Sequence, residues 1–185
     1  MFTQNIKAVL CDIGGVLYVG DAAIEGALEA LERVKEKYPI RFLTNTTQKT
    51  SAEVVQKLQE LGFSIEKKEV ITALDMTKMF LENHKSYAEF LLTDNAIEFF
   101  EELKEYPKNY VVVGDAQHNF SYNNLNKGFR TLQKGAKRYN SRSDFRFDSK
   151  FIKGLSEWFC IYTVLEAAGR VVSRSCFGSI LTTRV

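Results

Sequence analysis

The chain has 185 residues, 45% of them hydrophobic and 26% charged, enough for one domain with a real core or a smaller core carrying an insertion. Its 25 basic and 23 acidic side chains leave a formal charge of +2 and are interspersed, which argues against nucleic acid as a partner. No apolar run is long enough to cross a bilayer and the N-terminus lacks the pattern of a secretory signal, so a cytoplasmic protein away from membranes is expected.

Taken in chain order, "IKAVLC" (residues 6–11) is a near-continuous apolar run, the signature of a parallel strand covered on both faces. It ends on Asp12 and passes into Gly14 and Gly15. Residues 25–37 place Leu28, Leu31 and Val34 at helical spacing before Pro39, and "IRFLTN" then reads as a second strand, so the chain opens as βαβ. Thr50 and Glu53 have the spacing of a capping box ahead of a helix whose apolar face is Val54, Val55, Leu58 and Leu61, closed by Gly62. "EVITALDMTKMFLENH" supplies another strand and helix. The alternation points to a doubly wound α/β layer.

From about Tyr87 the pattern restarts, with "AEFLLTD" as strand, residues 95–105 as helix and "YVVVGD" as strand. Tyr122, Leu125, Phe129 and Leu132 then share one face of a predicted helix. Residues 134–157 are rich in Lys, Arg, Ser and Asp with little periodicity and read as a loop. "FCIYTVLEAAG" regains helical spacing and "RVVS" suits a short strand. Cys11, Cys160 and Cys176 are odd in number and share no metal-ligand spacing, which predicts free thiols. His84 and His118 read as surface or loop residues, and Trp158 as a core residue.

An acid at the carboxyl end of a first parallel strand lies where open α/β sheets bind ligands. A carboxylate there can attack phosphorus if Mg²⁺ neutralises the phosphoryl oxygens and backbone amides cradle them; Gly14 and Gly15 let the backbone come close. Thr44 and Asn45, at the next strand end, offer a hydroxyl and an amide that orient a phosphoryl group without adding negative charge. Taken alone, Asp12 before two glycines also suits a simple turn, Thr44 a loop hydroxyl and Arg174 a solvated charge.

In combination, "VLCDIGGVL", "FLTNTTQKT" and "YVVVGDAQHNFSYNNLNKGFRTLQKGA" resemble the haloacid dehalogenase superfamily, in its subgroup with a type IIA cap, from about Ile6 to Ala136. The resemblance implies an α/β protein with a Rossmann-like core of parallel strands and an inserted α/β cap. Residues 1–85 would form the first part of the core, 86–158 the cap and 159–185 a returning core segment. It implies a Mg²⁺-dependent phosphatase acting through an aspartyl-phosphate on a small phosphorylated substrate or a phospho-amino acid, and it allows a homodimer through the cap. Asp12 would be the nucleophile and a metal ligand, the Gly14 carbonyl a second ligand, and Thr44, Asn45 and the Gly15 backbone the phosphoryl binders. "VVSRS" resembles the segment carrying the family's basic residue, with Arg174 where Lys is usual.

Two departures stand beside this. Gly14 occupies the position of the family's second Asp, the general acid and base. After Asp148 the sequence contains no further Asp, although the family completes its metal site with a later Gly-Asp-Asp run. Glu157 and Glu166 remain, in other contexts, and Gly114-Asp115 belongs to the expected cap. The alternative function is therefore a catalytically impaired paralogue, or a truncated or frame-shifted product, that binds phosphate or a protein partner.

Overall fold

The computed structural model describes residues 7–141. Arg174, Glu157, Glu166, Trp158, Cys160, Cys176 and the helix and strand expected near the C-terminus lie outside them. By contacts the described chain divides into two compact units, residues 7–44 with 57–70, and residues 45–56 with 71–141. The second takes in residues 71–85 as well as the segment expected to be the cap. Among the described residues no helix is long and apolar enough to cross a membrane.

In the first unit, β1 (Val9–Asp12) runs parallel to β4 (Ile40–Thr44); β5 (Val70–Thr72) lies where the chain passes from the first unit's residues to the second's. The opening strand therefore includes Asp12. Its register sets Val9 opposite Ile40 and Asp12 opposite Leu43. Helix α1 (Ala27–Lys35) connects the parallel strands β1 and β4 and buries Leu31, as its helical spacing predicts. Between β1 and α1 the glycine-bearing loop folds into a small antiparallel hairpin, β2 (Tyr18–Val19) and β3 (Ala22–Ala23), which the sequence does not announce.

Helix α2 (Ser51–Glu60) starts on the expected capping box: the Thr50 N–H donates to Glu53 Oε2 at 2.7 Å and the Glu53 N–H to Thr50 Oγ1 at 3.4 Å. A second box opens α3 (Ala73–Asn83), where the Thr72 N–H donates to Asp75 Oδ2 at 2.8 Å and the Asp75 N–H to Thr72 Oγ1 at 3.2 Å. Such caps satisfy backbone donors that have no partner inside the helix.

The second unit is built on the parallel strands β6 (Tyr87–Leu91), β7 (Lys108–Val113) and β8 (Lys137–Asn140), in that order. Side chains alternate between the two faces, as strand geometry requires. Ala88, Phe90, Tyr110, Val112 and Tyr139 join Leu74 and Leu81 of α3 in one buried cluster, whereas Leu91, Val111 and Val113 pack with Leu132 of α5 (Tyr122–Gln133) in another. Helices thus cover both faces. The fold is α/β with parallel sheets, as expected.

Two expectations need correction. The helix expected over 95–105 breaks after α4 (Asp94–Glu98), because Phe100 leaves helical geometry at φ −104°, ψ 4°, is fully buried and stacks on Phe90 at 4.6 Å. The segment that reads as loop from Lys134 contains β8, whose backbone pairs with β7 although only Tyr139 is buried. On α5 the four apolar residues of one face part company: Leu132 packs on the sheet, whereas Tyr122 is 80% and Phe129 57% exposed, and Gly128 turns to the sheet. A Cβ there would lie 3.4 Å from Val111 Cγ1, so the glycine permits the close approach.

Gly114 ends β7 in the tightest spot of this unit. A Cβ on it would meet Leu92 Cδ2 at 2.6 Å, Ser141 Oγ at 2.8 Å and the Thr47 Cβ at 2.9 Å. Next to it the Asp115 N–H donates to the buried Thr47 hydroxyl at 2.8 Å, and the Asp115 carboxylate accepts from the Gln48 amide. Gly114→Ala is therefore expected to destabilise the fold by about 1–3 kcal/mol. Urea unfolding of both proteins measures it; an unchanged midpoint would refute the packing assigned to this glycine.

Candidate active site

The loop after β1 is shaped by which of its residues are buried. Ile13 and Leu17 are 1% and 4% exposed, whereas Asp12, Gly14 and Gly15 face solvent. Burying each of those two side chains is worth about 1.5–3 kcal/mol, enough to pin the loop and leave the carboxylate just before it outside. The Leu17 N–H donates to the Ile13 carbonyl at 2.9 Å and the Gly15 N–H to the Tyr18 carbonyl at 2.9 Å, closing a tight turn. Gly15 has φ 76°, the left-handed region that glycine enters without a steric cost.

The Asp12 carboxylate sits at the carboxyl end of β1, where Oδ1 accepts the Ile13 N–H at 2.8 Å. Thr44 ends the neighbouring parallel strand β4, one residue past the level of Asp12 in the register. Because the strands are parallel, both residues belong to the same edge of one sheet, the edge at which α/β folds bind ligands. Asn45 follows Thr44 directly, is exposed, and is the first residue of the second unit. Of the expected site residues, Asp12, Gly14, Gly15 and Thr44 thus lie in the first unit.

Sequence reasoning missed Lys57 of α2. Its ammonium donates to the Gly20 carbonyl at 2.8 Å, pairs with Asp21 at 2.8 Å and lies 4.7 Å from the centre of the Tyr18 ring. It clamps the hairpin that carries the turn after Asp12. A lysine on a polar helix face gives no sequence signal for such a role.

As donors, the Asp12 carboxylate and the Gly14 carbonyl are hard oxygens of the kind Mg²⁺ takes, and Mg²⁺ is commonly held by one or two carboxylates with waters and substrate phosphate oxygens. Among the described residues no three His, Cys, Asp or Glu side chains converge on one point. The described residues therefore fit part of a Mg²⁺ site. Gly114-Asp115 is held with Thr47 and Gln48 in the second unit.

Comparison with known proteins bears on this arrangement. A family model described as haloacid dehalogenase-like hydrolase matches residues 9–107. Human haloacid dehalogenase-like hydrolase domain-containing protein 2 is 37% identical over 134 residues, 72% of this chain and 52% of that protein. The zebrafish (Danio rerio) phospholysine phosphohistidine inorganic pyrophosphate phosphatase is 37% identical over 136 residues, 71% of this chain and 50% of that protein. The chain thus spans about half the length of these relatives. A hypothetical protein of Pyrococcus horikoshii superposes with a TM-score of 0.64 at 25% identity, over 73% of this chain and 57% of that one. The fold is also that of the 4-nitrophenylphosphatase of Thermotoga maritima, with a TM-score of 0.66 at 23% identity, over 83% of this chain and 65% of that one.

The residue before the aspartate is chemically quiet. Burial first, and the Asp12 charge second, push the Cys11 thiol up to about 12, and the thiol donates to the Asp12 carbonyl at 3.1 Å. At pH 8 only on the order of one molecule in ten thousand carries the thiolate that reacts with electrophiles. Iodoacetamide labelling followed by peptide mass mapping is expected to modify Cys11 at least about a hundredfold more slowly in the folded chain than in urea. Asp12→Asn should leave most of that protection, since burial is the larger cause. Equal rates in folded and unfolded chain would refute it.

Proposed function

Because this chain belongs to the haloacid dehalogenase-like hydrolase family, we propose that it is a phosphohydrolase that uses Asp12 to accept a phosphoryl group. The observation that carries this reading is the solvent-facing Asp12 at the end of β1, with Thr44 at the end of the adjacent parallel strand. A carboxylate oxygen of Asp12 attacks phosphorus, the bond from phosphorus to the leaving group breaks, and a leaving oxygen or nitrogen takes its proton from water. Water then attacks the aspartyl-phosphate, releasing inorganic phosphate and restoring the carboxylate. Thr44 and Asn45 donate hydrogen bonds to the phosphoryl oxygens as charge shifts onto them, and the Gly15 backbone leaves room for their approach. Mg²⁺, held by Asp12 and the Gly14 carbonyl when bound, supplies positive charge against those oxygens.

The substrate class in this reading is a small phosphorylated compound or a phospho-amino acid. The relative named for phospholysine, phosphohistidine and pyrophosphate supports it. Arg174, outside the described residues, is retained as a further phosphate contact. The α/β segment around β6 to β8 is read as a cap, through which two copies can pair, and a cytoplasmic location belongs to the same proposal.

A second reading is favoured by one specific feature. At Gly14 there is no carboxyl group to donate or accept the proton that a second Asp would handle, and positioned proton transfer is worth roughly 10²- to 10⁴-fold. An impaired paralogue that binds phosphate without turnover follows from that loss.

Hydrolysis of p-nitrophenyl phosphate by the full 185-residue chain decides between the two. Turnover is expected to require Mg²⁺, to vanish in EDTA and in Asp12→Asn, and to fall by roughly a hundredfold in Thr44→Ala. A folded chain that binds phosphate with no turnover selects the second reading; turnover that survives Asp12→Asn rejects the first.

A further inference from the structure

The second unit carries a charged groove remote in sequence from Asp12. It has a volume of about 500 Å³ and is lined by Glu89, Lys108, Lys127, Arg130 and Lys134, with Asn109 and Thr131 among its polar walls. Lys108 is already paired with Glu89 at 2.8 Å. Among the described residues Lys127, Arg130 and Lys134 have no carboxylate partner, so three positive charges in one groove exceed the formal +2 of the whole chain.

The spacing of these cations is regular. Lys127 and Arg130 on α5 and Lys134 at its C-cap stand at i, i+3 and i+7, one face over about 10 Å of axis. Lys108 approaches from the first residue of β7, and Gly135 turns the chain at φ 99° at the groove's edge. Cations left this close without counter-charge repel one another, a cost that an anion between them removes. The volume falls in the range of small-molecule sites, about 300–1,000 Å³, and the walls are polar: the Asn109 amide has a second N–H beyond the one it gives Ser86, whereas the Thr131 hydroxyl donates to the Lys127 carbonyl. A phosphate group carries up to two negative charges, so an ion with two or three linked phosphates matches this density better than a row of carboxylates. Arg130 adds a planar fork suited to phosphate oxygens.

We propose that the groove between α5 and the start of β7 is a second ligand site, for a small molecule bearing two or more phosphate groups, recognised by Lys127, Arg130 and Lys134 with Lys108 held in place by Glu89. It does not depend on catalysis at Asp12.

The test is titration calorimetry of the full chain with tripolyphosphate, in EDTA so that the ion is not consumed. Binding is expected, weakening as salt rises, about tenfold weaker or worse in Arg130→Gln/Lys134→Gln, and retained in Asp12→Asn. Circular dichroism confirms that the double variant is folded; Lys127→Gln alone, on the exposed helix surface, should weaken binding in the same direction by less. Absence of binding overturns the proposal. So does binding lost in Asp12→Asn but indifferent to the groove variants, which would place the ion at the end of β1. Tighter binding of oligo-glutamate than of tripolyphosphate also overturns it, in favour of an acidic peptide.

Discussion

The burial of Ile13 and Leu17 on either side of two exposed glycines is the constraint on which the first unit's chemistry rests. Parallel pairing of Val9–Asp12 with Ile40–Leu43 fixes where the strand ends, and the two buried side chains fix how the chain leaves it. Between them Asp12 has no route into the core, and remains a solvated carboxylate at a sheet edge. A charge buried there without a partner would cost far more than the loop could offset. The same arrangement raises the pKa of the Cys11 thiol, because burial first, and the Asp12 charge second, oppose the thiolate.

In the second unit, strand alternation does comparable organising. Ala88, Phe90, Tyr110 and Val112 face α3, Leu91, Val111 and Val113 face α5, and both faces are covered by helix. Glycine serves two different ends here. Gly128 lets a helix settle close to the sheet, and Gly114 lets a strand end pass between Leu92, Ser141 and Thr47. Neither has a positive φ, so each is needed for space and not for backbone freedom.

The groove beside α5 shows how little net charge says about local field. With 25 basic and 23 acidic residues the chain is close to neutral, and its charges are scattered in sequence. The fold brings Lys108 to the same groove as three cations 19 to 26 positions further on, with a single carboxylate for company. In a groove, field lines concentrate, so such a cluster acts on an anion in a way that composition conceals.

What the sequence determined by itself was local or pairwise repetitive. An apolar run ending on Asp12, the 3.6-residue spacing of α1 and α2, the Thr50–Glu53 capping box and the placing of Asp12 and Thr44 each at the end of an apolar strand run all follow from short-range stereochemistry. The sequence also carried the family resemblance, through the segments that hold Asp12 and Thr44. What only the tertiary structure decided were the hairpin at residues 18–23, the strand status of the polar Lys137–Asn140, the break at Phe100, the outward turn of Tyr122 and Phe129, and the basic groove. Each depends on a partner far along the chain. β8 is a strand because the backbone of β7 lies beside it, Phe100 leaves its helix to stack on Phe90, and α5 shows Tyr122 and Phe129 to solvent because Gly128 gives the closer fit to the sheet. Backbone pairing and packing against distant residues leave no period in the local sequence, which is why no reading of it alone reaches them.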